Sequence, residues 1–275
     1  MDIIYHITFT EDESPTLINY FNKNNIEYKN NGFFYLTDLS EQNPHWLNVL
    51  KIIQKDDVSY TVDTIFSKDE LNSAEWLRVR SCWKFDYPQP EDSYESITYS
   101  LDSYCAECGS GLLQETPFRL KKEPKWGKRN FLMVNWIEDE LFLSSKAKSL
   151  LESKKIQNIS FLPVLNKSGN QEFTDVHQLI IHNFLPYGFV DDLSCIQQTY
   201  SCPRCNSIKY HPNGKGKFVF HKEIFSNASP IVKSSELFGW GGVAMRLIIV
   251  NQFVYQLLKQ NHLEHSLVFE PIELI

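Results

Sequence analysis

Two Cys-x-x-Cys pairs, Cys105-Ala-Glu-Cys108 and Cys202-Pro-Arg-Cys205, constrain this chain more than any other feature. Two residues between thiols let both sulfurs face one tetrahedral ion, and two such turns complete a four-cysteine site. The residue after each second cysteine must turn left-handed so that backbone amides point at sulfur. Gly109 does so freely, and Asn206 is the next most tolerant type. Four thiolates fill the coordination shell of Zn2+, so an ion held by Cys105, Cys108, Cys202 and Cys205 is structural rather than catalytic. Two other readings stay open at this level: four thiols without metal, and a redox dithiol.

The pairs are far apart in the chain, and an internal repeat offers a way for them to meet. Leu141-Phe-Leu-Ser-Ser-Lys-Ala-Lys-Ser-Leu-Leu151 parallels Ile248-Ile-Val-Asn-Gln-Phe-Val-Tyr-Gln-Leu-Leu258. Each reads as a short apolar strand, a polar N-cap (Ser144, Asn251) and a helix ending in Leu-Leu. Each continues into a second strand, Ile159–Pro163 and Leu267–Pro271. Both copies are βαβ-like units preceded by a Cys-x-x-Cys, so two related halves can meet about a pseudo-twofold and bring their cysteines together.

The residues ahead of this repeat alternate strand and helix. A strand over Ile3–Phe9 leads to a helix opened by Ser14-Pro15 and stopped at Asn24-Asn25. One or two strands over Ile26–Leu36, bent near Asn31-Gly32, come next. A helix follows Pro44, a strand covers Val58–Phe66, and a capping box at Ser67–Glu70 opens a third helix with Leu71, Ala74 and Leu77 on one face. The expected fold class is therefore α+β. Residues 1–92 form a small α/β, ferredoxin-like module, closed by a linker at Tyr87-Pro-Gln-Pro-Glu-Asp-Ser. Residues 93–275 form a double-CxxC zinc domain with repeats at about 100–165 and 200–275.

A chain of 275 residues, 42% apolar and 14% aromatic, can bury a sizeable core without disulfide staples. Twenty-seven Lys and Arg against thirty-four Asp and Glu give a net charge of −7, which argues against a duplex-binding protein. No basic leader followed by a long apolar stretch opens the chain, and no segment reaches the ~18 apolar residues of a membrane helix. A cytoplasmic protein with reduced cysteines and no membrane partner is expected. Cys82 reads as a core thiol, and Cys195, just ahead of the second pair, as a core thiol or a substitute ligand.

The catalytic motifs fail one by one. A zinc deaminase carries His-x-Glu ahead of Pro-Cys-x-x-Cys, whereas His221-Lys-Glu223 follows Cys205 and Ser201 stands where proline is needed. His262-Leu-Glu-His265 is not the metalloprotease helix, and Gly239-Trp-Gly-Gly242 lacks the lysine and spacing of a phosphate loop. His177 and His182 flank an apolar strand as structural histidines, and the glycine-rich stretch reads as a turn with a packed Trp240. Lys121, Lys122, Lys125, Lys128 and Arg129, interleaved with Trp126, form the one basic cluster, read as a solvated hairpin.

The first knuckle with Gly109, the long strand–helix–strand spacer and the second knuckle stand in the order of the bacterial double-CXXCG motif proteins. Ile224-Phe-Ser-Asn-Ala-Ser-Pro, Glu236-Leu-Phe238 and the tail from Leu247 through Val268-Phe-Glu-Pro-Ile also resemble that family. The resemblance covers roughly residues 100–275 and departs at Asn206, where the family motif has Gly. It implies an immunity protein: a non-enzymatic binder that occupies the functional surface of a polymorphic toxin. A net charge of −7 suits a basic toxin such as a nuclease. Candidate contacts are Asp86, Tyr87, Glu91, Asp92, Tyr94 and Glu95 around the linker, with Asp191 and Asp192. Two alternatives remain: a zinc-ribbon adaptor touching nucleic acid through Lys121–Arg129, and an enzyme using Cys82 or Cys195 as nucleophile.

Overall fold

A computed structural model describes all of residues 1–275, a mixed α+β protein that divides into two compact units. The first comprises Met1–Glu70 with the short segment Pro212–Gly216. Its elements are β1 (Asp2–Phe9), α1 (Pro15–Asn24), β2 (Lys29–Asn30), β3 (Tyr35–Ser40), α2 (Trp46–Asp56) and β4 (Tyr60–Ile65), and the division falls within α3 (Lys68–Ser73). The four strands pair in the order β2-β3-β1-β4, antiparallel throughout. Ser14 caps α1 by accepting the Leu17 amide, and α1 and α2 both end on left-handed residues, Asn25 and Asp57. The side chains at 17 and 21 of α1, and at 46, 49 and 53 of α2, fall on single helix faces and close over Tyr5, Ile7 and Phe9. Thr64 bonds both Gly214 and Gly216, which ties Pro212–Gly216 to β4.

The second unit, Leu71–His211 and Lys217–Ile275, opens with β5 (Trp76–Ser81) and α4 (Tyr94–Thr98). The first repeat follows: β6 (Tyr99–Ser100), β7 (Leu113–Gln114), β8 (Arg119–Leu120), β9 (Phe131–Leu132), β10 (Leu141–Leu143), α5 (Ser145–Ser153), β11 (Ile159–Asn166) and β12 (Glu172–Ile181). The second repeat holds β13 (Ile196–Ser201), β14 (Ile208–Pro212), β15 (Val219–Phe220), β16 (Ile231–Lys233), β17 (Leu237–Phe238), β18 (Ile248–Asn251), α6 (Gln252–Gln260), β19 (Leu267–Pro271) and β20 (Glu273–Leu274).

The two repeats build the same sheet. In the first, α5 carries the chain from β10 to β11, and both strands lie antiparallel to β12 between them. In the second, α6 carries the chain from β18 to β19, and both lie antiparallel to β5 between them. An outer antiparallel strand flanks each set, β9 beside β10 and β16 beside β18, and the first sheet alone adds β8, parallel to β11 at its other edge. The helices start alike, with the Ser144 hydroxyl accepting the Ala147 amide and the Asn251 side chain accepting the Val254 amide. The difference lies in the middle strand. The first repeat supplies its own, whereas the second borrows β5 from ahead of both copies. Leu77, Val79, Leu143, Leu179, Val250 and Leu258 meet in one core drawn from both sheets.

The borrowed strand explains where the structure departs from the sequence reading. The division falls between Glu70 and Leu71 rather than near residue 92. The third helix stops at Ser73, and Leu77 lies in β5, whose buried Trp76, Leu77 and Val79 require sheet on both edges. Tyr87–Ser93 is no tether: Gln89 is buried, and its amide donates to the Arg119 carbonyl. Strand alternation puts Ser81 inside and Cys82 outside, so Cys82 is an exposed thiol rather than a core one. Cys195 is buried, and burial pushes its thiol up to about 12. No helix is long and apolar enough to cross a membrane.

Candidate metal centre and contact surface

Each Cys-x-x-Cys sits at a hairpin tip in the second unit, between β6 and β7 and between β13 and β14. The two turns have the same backbone. The Gly109 amide donates to the Cys105 carbonyl at 2.8 Å and the Asn206 amide to the Cys202 carbonyl at 2.9 Å. The Cys105 amide donates to Ser110 and the Cys202 amide to Ser207. Gly109 and Asn206 both take positive φ, +80° and +60°, the left-handed geometry that the motif needs. Gly109 is also crowded: a Cβ there would lie 1.9 Å from the Gly242 carbonyl oxygen.

The four sulfurs lie within 4.8 Å of one another. Equivalent residues of the two repeats approach each other closely, Cys105 to Cys202 at 3.7 Å, Cys108 to Cys205 at 3.6 Å, and Ser110 Oγ to Ser207 Oγ at 3.3 Å, and Ser110 Oγ also reaches Cys205 at 3.6 Å. This self-matching is the signature of an isologous, twofold interface, here within one chain. A tetrahedral ion with metal–sulfur bonds of about 2.3 Å spaces its ligands at about 3.8 Å. The donor set therefore fits one tetrahedral ion, with Cys105, Cys108 and Cys202 buried and Cys205 exposed.

Charge around the cluster is arranged unevenly. The Ser207 hydroxyl and amide, aided by the Ser110 hydroxyl, hold the Cys205 thiol well below its usual range. The Cys108 amide favours the Cys105 thiolate, yet burial and the Cys205 and Cys108 sulfurs leave Cys105 raised. Lys209 is fully buried beside them, and its ammonium donates to the carbonyls of Cys108 (3.0 Å), Val243 (2.9 Å) and Gly241. Burial pushes this ammonium down, and the Cys108, Cys202 and Cys105 thiolates oppose that. A buried cation spanning both hairpins suits a four-thiolate cluster around a divalent ion, which is dianionic. Sequence reasoning missed Lys209, though it follows Cys205 by four residues in an alternating strand. It also missed that Ser110 and Ser207 extend the repeat to Cys-x-x-Cys-x-Ser. Trp240, expected to pack in a turn, is half exposed with one face against His211.

The candidate contact residues separate into two places. Tyr87 and Tyr94 both converge on Trp136, with ring centroids 4.6 and 5.9 Å away. Trp136 holds a left-handed φ of +69° and is half exposed. Asp86 is a structural turn residue: its carbonyl accepts from the Asn135 amide and side chain, and its carboxylate accepts the Lys121 amide. Glu91 pairs with Lys121, while Asp92 and Glu95 bond only neighbouring hydroxyls, Ser93 and Tyr94. Burial, then Glu95, pushes the Tyr94 phenol up to about 12. Asp191 and Asp192 lie elsewhere, on a 3-10 turn where Asp191 accepts from Thr199. Three cations of the basic cluster have internal partners: Arg129 stacks 3.8 Å over Trp83, Lys122 lies over Phe85, and Lys121 is paired, whereas Lys125 and Lys128 are exposed. His177 and His182 bond Ser145 and Ser160. No protein-family model matches this chain, and no curated protein matches it either.

Proposed function

We propose that this chain is a cytoplasmic, non-enzymatic binding protein that neutralises a bacterial polymorphic toxin, its second unit clamped by a structural Zn2+. The aromatic platform of Trp136, Tyr87 and Tyr94, flanked by Asp92 and Glu95, is the observation that carries this reading. Exposed Trp and Tyr held by packed backbone are the side chains that dominate protein–protein binding energy. Carboxylates at their rim steer a basic partner, in keeping with the overall charge of −7. The resemblance to the double-CXXCG proteins points the same way, and an ion held by four cysteines has no open position for substrate or water. Lys121, Lys122 and Arg129 are engaged internally, which leaves only Lys125 and Lys128 of the cluster for the nucleic-acid adaptor. For the first unit, the βαββαβ order with strands 2-3-1-4 supports the ferredoxin-like reading.

The test is rescue of toxicity. The product of the neighbouring gene is expressed in a bacterium with this chain, without it, and with the Trp136→Ala variant. Killing by the neighbour alone, growth restored by the chain and protection lost with Trp136→Ala support the reading. A harmless neighbour, or one that kills regardless, refutes it.

A further inference from the structure

A cleft of about 510 Å³ opens between the two repeats of the second unit, alongside the first knuckle at Gly109–Gly111. That volume is in the ~300–1,000 Å³ range of small-molecule sites. Its apolar lining includes Leu162, Ile180, Phe184 and Leu237, and its charged lining is Asp139, Glu140, Lys233, Arg246 and Glu115.

One buried ion pair spans the repeat boundary, and beside it lie a carboxylate and a guanidinium that are not paired with each other. Lys233 is buried and bonds Glu140 at 2.5 Å, with Asp139 at 3.9 Å. Gln178 also donates to Glu140. Asp139 and Arg246 occupy equivalent positions, each two residues ahead of the inner strand of its repeat, β10 or β18. One copy thus presents a carboxylate where the other presents a guanidinium. Arg246 is positioned by Nη1, which donates to the carbonyls of Ser234 (3.1 Å) and Ser235, while no protein acceptor engages Nε or Nη2. Asp139 accepts only a long bond from the Arg246 amide, 3.4 Å, and the distant Lys233. The Tyr99 hydroxyl, on the same wall, also has no protein partner. Buried ion pairs seldom stabilise more than apolar residues of the same shape would. A buried Lys233–Glu140 pair in a cleft, beside a guanidinium and a carboxylate with unused hydrogen-bonding capacity, therefore marks a candidate ligand site.

We propose that this cleft binds a small zwitterion of the free α-amino-acid class. Arg246, whose guanidinium lies 5.4 Å over the Phe184 ring, takes the ligand carboxylate through Nε and Nη2, Asp139 takes the ligand ammonium, and the ligand side chain lies on Leu162 and Ile180. The opposed charges select a dipole, because a ligand with one charge leaves the other protein charge facing an apolar group. This inference is independent of toxin binding and survives its failure.

Calorimetric titration of the full chain, metal-loaded, with each of the free amino acids tests it. Phenylalanine is then compared with 2-phenylethylamine, which lacks the carboxylate, and 3-phenylpropionate, which lacks the ammonium; leucine is compared with its amine and acid in the same way. Saturable binding of at least one amino acid is expected, with both one-charge analogues of the ligand weaker by about tenfold or more. Leu162→Trp, which fills the cleft without touching an ion pair, abolishes binding at unchanged thermal stability. Arg246→Gln weakens the amino acid but leaves the amine analogue unaffected. Absence of saturable binding by every amino acid overturns the proposal. So does equal binding of the one-charge analogues, or full binding by Leu162→Trp.

Discussion

Gly109 and Asn206 occupy equivalent corners of the two knuckles, and replacing each by alanine isolates what the metal centre demands of its surroundings. Both residues hold positive φ, so alanine at either position costs up to ~1–2 kcal/mol in backbone strain, less where asparagine already bears part of it. Asn206 is exposed, and its replacement loses about 1 kcal/mol. At Gly109 the new Cβ would sit 1.9 Å from the Gly242 oxygen and 2.6 Å from its carbon, both rigid backbone, so the loop itself must retreat. That loop supplies the Gly241 and Val243 carbonyls to the Lys209 ammonium. Breaking one hydrogen bond to a buried charge costs a further ~1.5–3 kcal/mol. Gly109→Ala is therefore expected to lose roughly 3–5 kcal/mol, several times the loss at Asn206. Urea unfolding of the metal-loaded variants, with chelator competition for metal affinity, measures both losses. Equal losses at the two corners, or a larger one at Asn206, would show that the Gly242 loop does not bear on the centre.

Atomic spectrometry should find close to one zinc per chain, and Cys105→Ser combined with Cys202→Ser should remove it along with much of the second unit's stability. Glu270 is largely covered, its side chain 17% exposed; desolvation alone would raise its pKa, but Arg78 and Arg80 at 2.8 and 3.2 Å outweigh it and leave it lowered. Its stabilisation is thus fully present above the unfolded Glu value of ~4.3 and fades as pH falls through the lower folded value. Glu270→Gln should cost about 3 kcal/mol at neutral pH, and the gap from the parent in urea midpoint should narrow below about pH 4. Leu77→Ala, at a fully buried site in the middle of its sheet, should cost ~2–5 kcal/mol by the same unfolding assay.

The local grammar of the site was legible in the sequence because it depends on neighbours a few residues apart. Cys105, Cys108, Cys202 and Cys205 announce themselves by spacing, Gly109 and Asn206 by tolerance of left-handed backbone, and Ser144 and Asn251 by helix-start chemistry. What stayed hidden depends on residues far apart in the chain. Leu71, Ala74 and Leu77 fit one helix face, and only pairing with β18 and β19 makes Leu77 a strand residue. The lysine at 209 has no mark of burial until the Cys108, Gly241 and Val243 carbonyls converge on it. Trp136 gave no signal because the rings that support it, Tyr87 and Tyr94, lie far upstream, beyond the reach of any local motif.

The borrowed middle strand also sets a timetable for biosynthesis. The first repeat can close its sheet once residue 181 has emerged, since β9 to β12 are then all present. The second cannot, because β5 is translated early and its two neighbours, β18 and β19, begin 167 and 186 residues after it ends. Through that interval Trp76, Leu77 and Val79 have no partner strand on either edge, which makes the nascent chain a client for holding chaperones. Contacts of such long separation also slow spontaneous refolding. A ribosome stall before Leu267 would leave a polypeptide with one finished sheet and one half-built, ready to pair with another copy in the same state.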